Sequence, residues 1–238
     1  MYKKKYILGP SDVDSNLELK LSALFVMMQD VATEHAEILG IGKSMTIDRG
    51  LFWVITRYSV SIIKNPKYLE EITVVTYPGD DKKFIFPRYF HIENSKGDIL
   101  IRTSSTWCIL KKADRSISLD PFNGKITPPE HQEGEEPLPS KVMPKEKTLI
   151  ERRAVRYSEI DLNGHLNNTK YIDYLLDMHT PEFYKHNFVS HIVINYEKEI
   201  LGGDVVDLYS NSNNPEYING MVKDKIIFEA EVEYSKRD

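Results

Sequence analysis

Residues 157–177 read YSEIDLNGHLNNTKYIDYLLD and set a polar cluster against the start of an apolar helix. Tyr171, Ile172, Leu175 and Met178 recur at helical spacing, Asn167 or Asn168 suits the N-cap, and Pro181 follows the run. Just upstream, Asp161, Asn163 and His165 alternate with Leu162, Gly164 and Leu166. An extended segment with this alternation would aim the three polar groups to one side. Asparagine supplies amide donors, histidine carries a proton near neutrality, and aspartate is a charged acceptor that orients or activates a partner. Gly164 permits backbone geometry or a close ligand approach that a side chain would forbid. The competing reading is a busy helix entrance of Asx turns and caps. Calcium is excluded, because Leu166 and Ile172 stand where such a loop needs glycine and glutamate.

The stretch has a partner earlier in the chain. Residues 11–30, SDVDSNLELKLSALFVMMQD, slide over 158–177 without a gap. Ser11 falls on Ser158, Val13 on Ile160, Asp14 on Asp161, Asn16 on Asn163, Leu19 on Leu166, Phe25 on Ile172 and Asp30 on Asp177. A gapped match of WVITRYSVSI (53–62) on HIVINYEKEI (191–200) extends the duplication. Glu18 stands where His165 stands and Leu17 where Gly164 stands, so the first copy lacks the imidazole. If the triplet does chemistry, one such site per chain, built from the second copy, is the expectation.

In the first half Leu21, Leu24, Phe25, Met28, Val31, Ala32 and His35 mark one long apolar-faced helix, stopped by Gly40 and Gly42. Both helices are followed only by strand-like runs, with hairpin turns at residues 94–97 and 222–225. The predicted class is α+β, each half being one helix and four or five antiparallel strands curled around it. Between Pro121 and Lys147 lies a stretch of Pro, Gly and charge with no periodic apolar face, composed as a linker. The expected organisation is 1–120, a linker at 121–147, and 148–238.

Composition bounds the rest. The 238 residues are 41% hydrophobic and 28% charged, with net charge -5 and a single cysteine, Cys108. A disulfide framework and a Cys-rich metal site are therefore excluded. No run is long and apolar enough to span a membrane. The opening MYKKKYILGPSDVD has no signal-peptide core, which gives a cytoplasmic expectation.

Residues 155–177, VRYSEIDLNGHLNNTKYIDYLLD, together with QDVATEHA at 29–36, the linker and the second copy, resemble the acyl-acyl carrier protein thioesterases of plants and bacteria. The resemblance implies a tandem hot-dog fold, each half a sheet wrapped around a helix. It places Asp161, Asn163 and His165 at the family's D-x-N-x-H catalytic group and matches Glu199 to a catalytic glutamate, with Glu197 as a rival on the same strand face. The cysteine that follows that glutamate in the plant enzymes is Ile200 here, so a cysteine nucleophile does not apply, and Cys108 reads as a buried small hydrophobe.

The implied reaction is hydrolysis of acyl-carrier thioesters, which needs neither metal nor organic cofactor. Water would be activated by Glu199 or Asp161 with His165, or Asp161 would attack to form an acyl anhydride. Asn163 or backbone N–H groups at the helix start would hold the oxyanion. Leu24, Phe25, Met28, Phe52 and Trp53 are candidates to line an acyl pocket in the first half. The expected partners are an acyl carrier protein and a fatty acyl chain, with no nucleic acid and with a homodimer left open. Lys82, Lys83, Arg88, Lys111, Lys112, Arg115, Arg152, Arg153 and Arg156 are candidates to steer the acidic carrier. The alternatives are an acyl-CoA thioesterase of the same fold and a non-catalytic acyl-binding sensor.

Overall fold

The computed structural model describes residues 1–119, 122, 131, 132 and 134–237. It divides into two compact units, Met1–Pro139 and Ser140–Asp238. The first contains β1 (Tyr2–Ile7), α1 (Leu21–Ile38), β2 (Leu51–Ile62), β3 (Glu71–Pro78), β4 (Phe86–Asn94) and β5 (Ile99–Lys111). Its strands lie in the order β1-β3-β4-β5-β2, every neighbouring pair antiparallel. The second contains β6 (Thr148–Ala154), α2 (Asn168–Leu176), α3 (Pro181–His186), β7 (Asn187–Tyr196), β8 (Val205–Ser210), β9 (Glu216–Val222) and β10 (Lys225–Lys236). Its order is β7-β10-β9-β8-β6, again antiparallel. Read from the opposite edge this is the order of the first unit, so the two units share one topology.

The helix of the first unit forms because its apolar residues recur every three or four positions. Leu21, Leu24, Phe25, Met28, Val31, Ala32 and His35 are buried, and Gly40 turns the chain away at φ 70°. That face packs against the sheet, where the Phe25 ring meets the edge of Tyr58 with centroids 4.8 Å apart. Met28 is fully buried, so Met28→Ala costs about 2–5 kcal/mol. The corresponding α2 is half as long, nine residues against eighteen, because Thr180 and Pro181 start a new helix soon after it.

Two strands escape the apolar-run reading. β1 is YKKKYI and β6 is TLIERRA; both are sheet edges, where charged side chains stand in solvent and discourage pairing with a foreign strand. The predicted linker falls partly on residues 121, 123–130 and 133, which lie outside the described residues. Its described remainder has no regular structure but is pinned: Tyr77 donates to Glu135 at 3.0 Å, Ser59 to Glu136 at 2.7 Å and Ser104 to the Pro137 carbonyl at 2.5 Å. In the second unit Val142 is buried with Val193 and Tyr217.

Candidate active site

The polar stretch is a tight loop and not the extended segment its alternation suggests. Asp161 Oδ1 accepts the backbone N–H of Asn163 at 2.8 Å and that of His165 at 3.1 Å. The Asn163 amide reaches Asp161 Oδ2 at 3.4 Å, and Asp161 N–H donates to the His165 carbonyl at 2.8 Å. Asp161 thus faces inward and shapes the loop, an Asx turn in the sense of the competing reading. Gly164 has φ 84°, and a Cβ there would meet open space, so its freedom serves the turn and not a close approach.

The loop delivers His165 to Glu199. Their Nε2 and Oε2 atoms lie 3.3 Å apart, with the imidazole largely enclosed and the carboxylate at 42% exposure. Glu199 lies beyond the end of β7, so strand alternation does not relate it to Glu197. The chain bends there because the N–H groups of Glu197 and Lys198 both donate to the Ile227 carbonyl. A short bridge between His165 and Leu201 and a hydrogen bond from Leu166 N–H to the Ile200 carbonyl fix the two segments side by side.

A residue absent from the sequence expectations anchors the base of the loop. Glu159 is buried and accepts from Arg156 N–H at 2.8 Å, from Tyr174 hydroxyl at 3.2 Å and from Arg153 at 3.4 Å. Arg153 also pairs with Asp177 at 2.6 Å and lies over the Tyr174 ring at 4.2 Å. Loop and helix α2 are thereby clamped together, and Asn167 caps the helix by accepting Thr169 N–H at 3.0 Å. The spacing of Glu159 three residues after Arg156 is the one sequence signal for this clamp, the acid half of a capping box. Tyr171 was also overlooked as a site residue. Burial, then the charges of Glu199, Tyr174 and Asp161, push its hydroxyl well above the usual phenol range, so it stays protonated.

The first unit holds the same loop with different ends. Asp14 Oδ1 accepts Asn16 N–H at 2.8 Å and Glu18 N–H at 3.1 Å, and Leu17 takes Gly164's place at φ 59°. Leu19 N–H donates to the Pro66 carbonyl as Leu166 does to Ile200, and the N–H groups of Ile63 and Lys64 share the Leu100 carbonyl. These bonds place Asn65 at the position of Glu199. They also correct the gapped match, which is displaced by four residues: Ile62 corresponds to Tyr196 and not to Ile200. The imidazole and carboxylate of the second loop are thus a carboxylate and an amide in the first.

The other expected residues are spread out. Leu24, Phe25 and Met28 share the buried face of α1. Trp53 packs with Ile41, Phe86, Ile109 and Phe122, donating its indole N–H to the Ile41 carbonyl at 3.0 Å. Phe52, its neighbour on β2, lies under Arg115 at 4.9 Å instead. Cys108 is buried, and burial pushes its thiol up, away from nucleophile chemistry. Among the steering candidates Arg88 is a correction: it is buried in the first unit and unavailable to a docking partner. Arg152 and Arg153 are ion-paired to Asp207 and Asp177. Among the described residues no group of His, Cys, Asp and Glu gathers as metal ligands would. No helix among them is long and apolar enough to cross a membrane.

Residues 1–119 match the acyl-ACP thioesterase N-terminal domain and residues 142–236 the acyl-ACP thioesterase C-terminal domain. The chain belongs to the acyl-ACP thioesterase family. A chloroplastic palmitoyl-acyl carrier protein thioesterase of Gossypium hirsutum is 24% identical over 237 residues, 92% of this chain and 57% of its own length. The chloroplastic oleoyl-acyl carrier protein thioesterase 2 of Arabidopsis thaliana is 21% identical, over 90% of this chain and 64% of its own. The chain therefore spans a little over half the length of these relatives. Two solved structures share the tandem hot-dog fold: an acyl-ACP thioesterase from Bacteroides thetaiotaomicron, with TM-score 0.85 and 20% identity over 98% of this chain and 97% of that one, and a 12:0-ACP thioesterase from Umbellularia californica, with TM-score 0.86 and 18% identity over 99% and 97%.

Proposed function

We propose that this family member hydrolyses the thioester that links an acyl chain to an acyl carrier protein, releasing the free fatty acid and ending elongation. The observation that carries the reading is the 3.3 Å pairing of His165 Nε2 with Glu199 Oε2 on a loop whose shape is held independently by Asp161. A thioester carbonyl is a good electrophile and a thiolate leaves easily, so the protein must activate water and stabilise an oxyanion. Glu199 orients the imidazole and offsets the charge it gains on taking a proton from water. The Asn163 amide, tethered to Asp161, and the Asn168 N–H at the start of α2 are the donors for the oxyanion. Asp161 already accepts two backbone N–H bonds and an amide contact, which favours water activation over direct attack by its carboxylate. Arg153 and Glu159 hold the loop to its helix and act as positioning residues.

The acyl tail is assigned to the apolar face of α1, with Leu24, Phe25 and Met28. For the acidic carrier the exposed candidate cations are Lys82, Lys83, Lys111, Lys112, Arg115, Arg152 and Arg156, and Lys111 and Lys112 line an open depression with Arg49. The test is to incubate the pure protein with carrier-bound acyl chains of several lengths and to identify the released acids. Release that vanishes in His165→Ala supports the reading. Release from acyl-CoA with none from acyl-carrier substrate replaces the carrier with CoA. Tight acyl binding without turnover would make the protein a sensor.

A further inference from the structure

Arg88 lies on the α1-facing side of β4 and is 8% exposed. Its Nη1 meets two neutral acceptors, His35 Nδ1 at 3.1 Å and Thr76 Oγ1 at 3.2 Å. Thr76 in turn donates to the Tyr89 carbonyl at 3.0 Å. Among the described residues no carboxylate pairs with the guanidinium, and the one titratable group whose charge would act on it, the Tyr58 hydroxyl, is buried and held neutral. A guanidinium offers five donors, and burying one without an anion is costly. Helix packing does not account for it, because Phe86 and Phe90, the flanking positions on the same strand face, are aromatic and buried. His35 is the last buried residue of the apolar lane that runs along α1 from Leu21. The lane therefore ends on a cation with donors to spare.

We propose that the interior of the Met1–Pro139 unit takes acyl chains that carry a hydrogen-bond-accepting oxygen away from the thioester, a hydroxyl, oxo or second carboxyl group, and that Arg88 binds it. This rests on the assignment of the acyl tail to α1. Arg88 and His35 then act as specificity residues: a plain chain leaves the guanidinium with neutral neighbours alone, whereas an oxygenated chain supplies the missing acceptor. Hydrogen bonds to a charged donor of this kind correspond to roughly tenfold to a hundredfold in affinity.

The test uses pantetheine amides, which have a neutral head and are not hydrolysed, with plain, terminal-hydroxyl and terminal-carboxyl tails of matched length. Calorimetric titration of the full chain should show one of the oxygenated tails bound at least about tenfold more tightly than the plain one. Arg88→Met should abolish the ratio, and Arg88→Lys, which keeps the charge but loses the fork, should reduce it if the Met variant does not fold. A plain tail bound as tightly as both others in the wild-type protein, or a ratio that survives Arg88→Met, overturns the inference. Turnover of the matching thioesters separates this from the thioesterase reading. Hydrolysis without any oxygen preference overturns only the Arg88 inference, and oxygen-selective binding without hydrolysis of any thioester overturns only the hydrolase.

Discussion

Asp14 and Asp161 occupy the same place in two copies of one loop, each accepting the N–H two residues ahead at 2.8 Å and the N–H four residues ahead at 3.1 Å. The first copy makes this geometry without an imidazole, so the aspartate is required by the turn whether or not chemistry follows. Asp14→Ala and Asp161→Ala should each lose about 1–3 kcal/mol of stability, since both leave loop N–H groups without an acceptor. Urea unfolding of the two variants checks this, and only Asp161→Ala should also lose turnover. Unequal destabilisation, with Asp14→Ala unaffected, would contradict the shared role.

Glu199 lies 3.3 Å from His165, and Glu197 is not part of that contact. Glu199→Gln should lower turnover by about a hundredfold, the scale of general acid–base assistance, while Glu197→Gln stays near wild type. Initial rates on one carrier-bound substrate, with melting curves alongside, rank the two. The reverse order would mean that the His165 contact is not the working one.

Acid should weaken the first unit through His35. Burial and the neighbouring Arg88 hold its imidazole down to about 4, against about 6.5 in the unfolded chain. The unfolded state therefore binds the extra proton first, so the His35 contribution is full above pH 6.5 and is lost as pH falls toward 4. The shift corresponds to roughly 3 kcal/mol at its limit. Urea midpoints at pH 7 and pH 4.5 should fall further for the wild type than for His35→Gln. Equal falls would remove His35 as the source.

Salt should distinguish carrier docking from chemistry. Exposed lysines would attract an acidic carrier over a distance screened within about 8 Å at physiological ionic strength. kcat/KM on carrier-bound substrate should decline as salt rises, while that on a neutral pantetheine thioester stays flat. Parallel responses would remove electrostatic steering.

Much of this architecture was legible because it rests on local pattern. The period of Leu21 to His35 gave α1, the alternating runs gave eight strands, and the ungapped match of 11–30 on 158–177 located both loops. The edge strands β1 and β6 carry lysine, arginine and glutamate in place of apolar alternation, so their pairing is decided by the neighbouring strand and not by their own composition. The inward turn of Asp161 was hidden by the D-x-N-x-H spacing, which fits an extended segment as well as an Asx turn. Glu159 was missed and Arg153 read only as a steering cation, because their partners, Tyr174 and Asp177, lie on α2 and its C-cap, which only the fold brings near. Arg88 read as a surface cation because nothing in FIFPRYFHIE marks which face meets α1.

On the proposed function one loop of the two is catalytic, and the pairing of His165 with Glu199 makes it so. Single-turnover hydrolysis of a carrier-bound acyl chain should be measured for His165→Ala and Glu199→Gln beside Glu18→Ala and Asn65→Ala, the residues at the same places in the first unit. The expected result is a loss of at least about a hundredfold in the first pair and little change in the chemical step in the second, with all four folded. Equal losses in both pairs would show that both loops are catalytic, and near-normal rates in His165→Ala and Glu199→Gln would contradict the site itself.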